Sequence, residues 1–238
     1  MKLTVLVPVH NEESTIIQIL ELVRTQQIAD VELEIIAVDD GSTDRTPELL
    51  RSRAELYSKM IRLEHNGGKG AAVRAGLAVA TGEYVLFQDA DLEYDPAEYS
   101  KLVRPAIKYG ADVVIGSRTL APSCRRIHYL WNKVGNGLVT FTFNCLFNTT
   151  FSDTYSCYLM FRRGLVQPGA LRSQGFDQQA EILAKCVKRG KVFYEVPIDY
   201  HGRTYAEGKK IHTWHVAGVI WTMCRERFSS AGPRRFRT

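Results

Sequence analysis

The sequence lacks the marks of several protein classes. Its five cysteines, Cys124, Cys145, Cys157, Cys186 and Cys224, are odd in number and never approach C-x-x-C spacing. Neither a disulfide framework nor a zinc site is expected, and a reducing cytosolic environment fits best. The six histidines form no H-E-x-x-H or similar ligand spacing. Ser14 and Ser42 lack the G-x-S-x-G surround of a nucleophile elbow. No apolar run approaches the roughly 20 residues that span a bilayer. The chain opens at once on the strand-like Leu3–Val7, so no signal peptide is expected. Repeats and low-complexity linkers are absent, which favours one domain over 1–228 with a basic tail at 229–238. The net charge of +5 is modest. It suits anionic partners such as nucleotide phosphates or membrane headgroups, and no nucleic acid is expected among them.

What is present is an alternation of strand-like and helical segments. Apolar runs at Leu3–Val9, Glu34–Val38, Ile61–Glu64, Glu83–Gln88 and Asp112–Gly116 read as strands. Between them Ser14–Arg24, Thr46–Ser58, Gly70–Ala80 and Pro96–Tyr109 read as helices, the second with Asp44 as N-cap and Pro47 in its first turn. Strands separated by helices predict an α/β fold with a mainly parallel sheet. The second half adds the aromatic-rich helix Arg126–Phe147, a strand over Tyr158–Phe161, the helix Gln178–Arg189, the strand Lys191–Val196 and the Trp-bearing helix His212–Phe228.

Polar residues follow the strands, and in an open α/β sheet ligands bind beyond the carboxyl ends. These segments are Pro8-Val9-His10-Asn11-Glu12, Asp39-Asp40-Gly41-Ser42, Asn66-Gly67-Gly68-Lys69-Gly70, Asp89-Ala90-Asp91-Leu92-Glu93 and Gly116-Ser117-Arg118. The pair Asp89 and Asp91 is costly unless a cation lies between its members or they share a proton. Hard oxygens suit Mg²⁺ or Mn²⁺ together with substrate phosphates. Each segment alone also reads blandly. Asp39-Asp40-Gly41-Ser42 is equally a turn, the glycines around Lys69 equally a helix entry, and Arg118 equally a surface charge. Their conjunction favours a nucleotide-sugar site. Carboxylates would accept from ribose and base, a metal pair would neutralise the diphosphate, and Lys69 and Arg118 would add positive charge.

Taken in order, these motifs resemble family 2 glycosyltransferases of the GT-A fold, most of all the dolichol- and polyprenyl-phosphate mannosyl- and glucosyltransferases. The resemblance covers roughly residues 3–210 and implies a Rossmann-like three-layer fold with amphipathic interface helices. It also implies a UDP- or GDP-linked sugar donor, Mg²⁺ or Mn²⁺, inversion at the anomeric carbon and a polyprenyl phosphate acceptor. Pro8, His10, Glu12 and Asp39 would line the nucleoside pocket, with Lys69 and Ala90 also on the donor. Asp89 and Asp91 would flank metal and diphosphate, and Glu93 stands where relatives can supply another oxygen ligand. Arg118 and Arg203 match basic residues on the donor and acceptor phosphates. Lys209 lies in the segment Arg203–Lys210, expected to order over the donor.

A lipid phosphate acceptor is already anionic and needs no strong base. A sugar hydroxyl would need one, and Asp177 and Glu181 would then be candidates, although both also read as helix-start acids. One departure touches the acceptor side: close relatives carry a basic residue after the aromatic near Asp153–Tyr158, and here Leu159-Met160 follows. Many relatives also continue into transmembrane helices. The expectation here is a cytoplasmic protein bound peripherally to the inner face of an anionic membrane. Helices 126–147 and 212–228 would lie in the interface, with Trp131, Trp214 and Trp221 near headgroups and Arg125, Arg126, Arg225, Arg227, Arg234, Arg235 and Arg237 attracting lipid. The other readings are a saccharide or small soluble acceptor, and a non-catalytic nucleotide-sugar-binding module at the membrane.

Overall fold

Strand β1 (Lys2–Val9) is buried along almost its whole length, as expected of a central parallel strand covered on both faces. The computed structural model describes residues 1–120, 130–202 and 215–229. Around β1 a seven-stranded sheet forms from β2 (Glu32–Asp39), β3 (Lys59–Arg62), β4 (Tyr84–Phe87), β5 (Val113–Ser117), β6 (Leu159–Arg162) and β7 (Phe193–Pro197). The order is β3-β2-β1-β4-β6-β5-β7. All neighbours run parallel except β6, which lies antiparallel between β4 and β5. The mainly parallel sheet expected from the sequence is therefore observed, and so is the Rossmann-like layering.

The helices are α1 (Ile16–Arg24), α2 (Thr46–Ser52), α3 (Lys69–Val79), α4 (Tyr99–Tyr109), α5 (Leu130–Phe147), α6 (Gln178–Arg189) and α7 (His215–Phe228). Helix α3 packs on β1 and β2, α4 packs on β5 and β7, and α7 packs against both α5 and α6. One hydrophobic core runs from Leu3 and Ile35 through Phe87 and Phe161 to Leu183 and Met223. Pro8 sits inside β1, where proline normally breaks a ladder. It is tolerated because β1 pairs with β4 only over Leu3–Leu6, so Pro8 lies beyond that pairing.

Some boundaries differ from the expected ones. The helix expected over Thr46–Ser58 ends at Ser52, and a separate 3₁₀ turn follows at Ala54–Leu56. Arg53 leaves helical geometry, ion-pairs with Glu21 at 2.8 Å and Glu55 at 2.6 Å, and Tyr57 Oη donates to Leu50 O at 3.0 Å. The chain so turned enters β3 at Lys59, ahead of the expected Ile61. The helix expected from Pro96 is a 3₁₀ turn capped by Asp95, running into α4. The expected starts at Arg126 and His212, the tail beyond Ser229, and Arg125, Arg126, Arg203, Lys209, Trp214, Arg234, Arg235 and Arg237 lie outside the described residues. Cys145, Cys157, Cys186 and Cys224 are free thiols.

Candidate active site

The carboxyl ends of β1, β2, β4, β5 and β7 open on one edge of the sheet. Because β6 is antiparallel, the residues that precede it, Asp153–Tyr158, reach the same edge. Two groups of side chains form there.

The first joins the ends of β1 and β2 to the glycine loop before α3. His10 Nδ1 donates to Asp40 O at 2.9 Å, since a carbonyl can only accept, and His10 Nε2 accepts from Asn66 Nδ2 at 3.0 Å. Asp40 Oδ1 accepts from Gly67 N at 2.9 Å. Asn11, with φ of 52°, accepts from Thr43 N through its side chain. Glu12 faces Thr15, whose hydroxyl donates to its carboxylate at 3.2 Å. Asp39 is fully buried. Its Oδ1 accepts from Ser42 N at 2.9 Å. Its Oδ2 receives no aligned donor, although Arg62 Nε stands 3.3 Å away. A buried carboxylate oxygen with open acceptor capacity is costly, and a ligand N–H or hydroxyl would satisfy it.

The second group surrounds the acidic pair. Lys69, at the first position of α3, pairs closely with Asp89 Oδ1 and lies 3.9 Å from Cys157 Sγ. Burial opposes the charge on Lys69, but Asp89 more than reverses this and strengthens its hold on the proton. Burial, and then the Asp89 charge, push the Cys157 thiol well above its ordinary value, so it stays protonated. Ala90 is buried between the two acids. Asp91 Oδ1 accepts from Glu93 N at 3.1 Å. Glu93 Oε2 accepts from Tyr200 Oη at 2.5 Å, and His201 N donates to Glu93 O at 3.0 Å. Among the described residues no three His, Cys, Asp or Glu side chains converge as a metal cluster. Of the expected set Asp89, Asp91 and Glu93, the first carries Lys69 and the third Tyr200. The pair Asp89 and Asp91 still suits a hard cation that takes its remaining ligands from phosphate oxygens and water.

Arg118 was expected to face phosphate. Its guanidinium instead grips Asp153, Nε to Oδ2 at 2.7 Å and Nη2 to Oδ1 at 2.8 Å. It also donates to Tyr94 Oη at 3.3 Å and Tyr155 O at 3.2 Å, and lies over the Tyr200 ring. Burial alone would raise the Asp153 carboxyl, but Arg118 overrides it and holds it below the ordinary value. Glu195 on β7 accepts from Ser152 N and Asp153 N, fixing the segment from below.

Several site residues carried no signal in the sequence. Gln88 is fully buried at the end of β4, where it donates to Asp89 O and Tyr94 O and accepts from Tyr99 Oη at 2.7 Å and Tyr158 Oη at 2.8 Å. It ties the acidic loop to α4 and β6. A polar residue ending an apolar strand was the one available hint. Tyr155, its phenol pushed up by burial to about 12, donates to Phe176 O at 2.9 Å. The two carboxylates considered as bases are both engaged. Glu181 is fully buried and accepts from Arg172 N and Ser173 N, and Asp177 Oδ2 accepts from Thr222 Oγ1 at 2.8 Å.

On the outside, α5 exposes Leu130, Trp131, Val134, Leu138 and Phe141 at helical spacing, and α7 exposes Trp221 and Phe228. Trp131 is 73% exposed, Trp221 70% and Phe228 81%, far beyond what an ordinary surface helix leaves bare. No described helix is long and apolar enough to cross a membrane.

Comparison with known proteins places this geometry. The sequence profile described as Glycosyl transferase family 2 matches residues 4–168. The chain is 30% identical over 230 residues to glycosyltransferase AglJ of Haloferax volcanii, covering 96% of this chain and 73% of that protein. It is 35% identical over 172 residues to an undecaprenyl-phosphate 4-deoxy-4-formamido-L-arabinose transferase of Pseudomonas aeruginosa, covering 69% of this chain and 48% of that one. Among solved structures it superposes on glucosyl-3-phosphoglycerate synthase from Mycobacterium tuberculosis, in complex with Mn²⁺, uridine diphosphate and glucosyl-3-phosphoglycerate. The TM-score is 0.67 at 20% identity, covering 98% of this chain and 81% of that one. S. aureus TarS residues 1–349 superpose with a TM-score of 0.61 at 18% identity, covering 97% of this chain and 72% of that one. Both likenesses are of fold.

Proposed function

The chain belongs to glycosyl transferase family 2, as a GT-A glycosyltransferase that draws on a nucleotide-sugar donor, and on that premise we propose that its acceptor is a polyprenyl phosphate. The observation that carries this reading is the aromatic and aliphatic stripe on α5 and α7, which suits a helix lying in a lipid interface. Lys133 on α5 and Arg227 on α7 add charge for anionic headgroups. The protein then works peripherally at the cytoplasmic face of a membrane, where its substrate is found. Occupation of Glu181 and Asp177 by protein partners supports the same acceptor, because a phosphate monoester oxygen needs no base.

In this reading Asp39 Oδ2, buried and lacking an aligned donor, takes an N–H or hydroxyl of the nucleoside. His10 and Asn66 brace the pocket wall without meeting the reacting atoms. Asp89 and Asp91 would hold Mg²⁺ or Mn²⁺, whose charge would neutralise the diphosphate as it leaves. Lys69 adds a fixed ammonium beside that pair. Arg118 acts through Asp153, keeping Tyr94 and Tyr155 in place as a floor for the sugar. Attack by the acceptor oxygen on the opposite face of the anomeric carbon inverts the centre. The protein's contribution is alignment of nucleophile, carbon and leaving group.

The test is transfer of label from a panel of UDP- and GDP-sugars, with Mg²⁺ or Mn²⁺, in the presence and absence of polyprenyl phosphate. Lipid-dependent and metal-dependent passage of label into the organic phase is the expected result. Donor hydrolysis or transfer to a soluble saccharide, indifferent to lipid, would sink the acceptor assignment. Donor binding without turnover would leave a binding module.

A further inference from the structure

Glu181 is fully buried on α6, and both its oxygens have partners. Its Oε1 accepts from Arg172 N at 3.0 Å and its Oε2 from Arg172 N at 3.0 Å and Ser173 N at 2.8 Å. Consecutive amides aimed at one anion form a small nest. Lys185 Nζ at 3.3 Å and Arg225 Nη2 at 3.8 Å compensate the buried charge. Arg225 also donates to Ser173 Oγ at 3.3 Å.

The segment so held is the seat of the glycine loop. Gly70 N donates to Gln174 O at 2.7 Å, and Arg74 donates to Leu171 O at 3.2 Å. A Cβ on Gly70 would stand 2.2 Å from Ser173 O, and one on Gly68 2.5 Å from Gln174 O. Gly68 moreover has φ of +82°, which a side chain would strain. Lys69 is thus flanked on both sides by backbone pressed against residues 173–174. Its ammonium reaches Asp89 from that position.

We infer that Glu181 is a positioning residue of the donor site: it anchors residues 172–174, these seat Gly68-Lys69-Gly70, and the seat sets Lys69 against Asp89. The inference rests on the reading of Lys69 and Asp89 as donor-site residues. It gives Glu181 a role other than general base, because the carboxylate is fully buried and held by two backbone amides, Lys185 and Arg225.

In Glu181→Gln the amide NH₂ meets the N–H groups of residues 172–173, so the seat loses one of its two amide acceptors. Two readouts follow. Pulse labelling of lysines with an amine-acylating reagent, read by mass spectrometry against Lys108, measures Lys69 without needing any donor. Labelling at Lys69 rises several-fold in the variant, and Gly70→Ala, which pushes the seat away without touching Glu181, gives the same rise. In the transfer assay the donor KM rises by roughly tenfold, the loss of about one hydrogen bond to a charged group, while the acceptor KM stays near wild type. A folded Glu181→Gln protein with wild-type Lys69 labelling and donor KM overturns the inference. So does a fall confined to kcat with loss of the acidic limb of its pH profile, which would mark a general base. If both variants fail to fold, amide exchange in the wild-type protein decides. The amides of Gly70, Arg172 and Ser173 must be protected together, and exchange of Arg172 and Ser173 at free-loop rates while α6 is protected overturns the clamp. If wild type transfers no sugar, labelling and exchange still judge the clamp, so the functional reading fails by itself.

Discussion

Replacing Asp153 by Asn exposes how much the site depends on a buried ion pair. Asp153 is fully buried, and the Arg118 side chain is only 20% exposed. The carboxylate takes two guanidinium bonds, the Arg118 amide at 3.1 Å and Asn136 Nδ2 at 3.1 Å. Removing one partner strands a desolvated guanidinium, which costs about 3–5 kcal/mol. For a fold stabilised by about 5–15 kcal/mol that is a large fraction. With a urea slope of about 2–3 kcal/mol/M, the unfolding midpoint falls by at least about 1 M. Arg118→Met strands the opposite charge and costs a similar amount. The double variant costs less than the sum, with a coupling of about 2–3 kcal/mol. The pair also titrates. Asp153 has a folded-state pKa below its unfolded value of about 3.9, so its contribution is complete above that pH and is lost as pH falls through the folded value. Wild type therefore loses stability on acidification below about pH 4, and Asp153→Asn lacks that part of the loss. Urea melts between neutral pH and pH 3 measure both effects. A neutral-pH cost under about 1 kcal/mol, the level of an exposed pair, would refute the reasoning.

Asp91→Asn removes a carboxylate from the pair proposed to hold the cation. Turnover falls by at least about a hundredfold and metal-dependent retention of nucleotide is lost, so unchanged metal-dependent binding would remove Asp91 from that role. Trp131→Ala combined with Trp221→Ala weakens sedimentation with anionic vesicles and raises KM for a long polyprenyl phosphate, while a short water-soluble analogue is turned over as before. Equal loss with both acceptors would mean the helices are structural only. Gln88→Leu leaves the hydroxyls of Tyr99 and Tyr158 without their shared acceptor, which costs about 2–4 kcal/mol by thermal or urea melts, and a neutral outcome would deny it the hub role.

The strand ends of the candidate site were legible because strands buried on both faces leave uninterrupted apolar runs, so each switch to polar residues at Asp39, Asp89 or Arg118 marks a strand end. What each of those residues touches was not legible. The charge of Arg118 suits phosphate, and nothing in the spacing announces Asp153 as its partner. Asp153, Tyr155 and Cys157 reach the site through an antiparallel strand inserted between β4 and β5, a pairing with no local pattern. Nothing near Glu93 in the sequence announces Tyr200 as the hydroxyl that donates to it. The break after Ser52 was hidden because Arg53–Ser58 carries no proline or glycine. Its cause is a tyrosine hydroxyl reaching back to Leu50 and an arginine pulled toward Glu21.

The position of β6 also dictates an order of assembly as the chain leaves the ribosome. Strands β1 to β4 and their helices leave the ribosome first and can associate before β6 is made. β4 then presents a bare edge, and Lys69 meets Asp89 without its neighbour Cys157. That edge is closed only when β6, which follows α4, β5 and α5, threads antiparallel between β4 and β5. Pairing at such separation is slow, and an open apolar edge is the place where nascent chains associate wrongly. The strand that completes the active site is thus also the one that ends the chain's exposure to misassembly, and a protein truncated before Leu159 would fail on both counts at once.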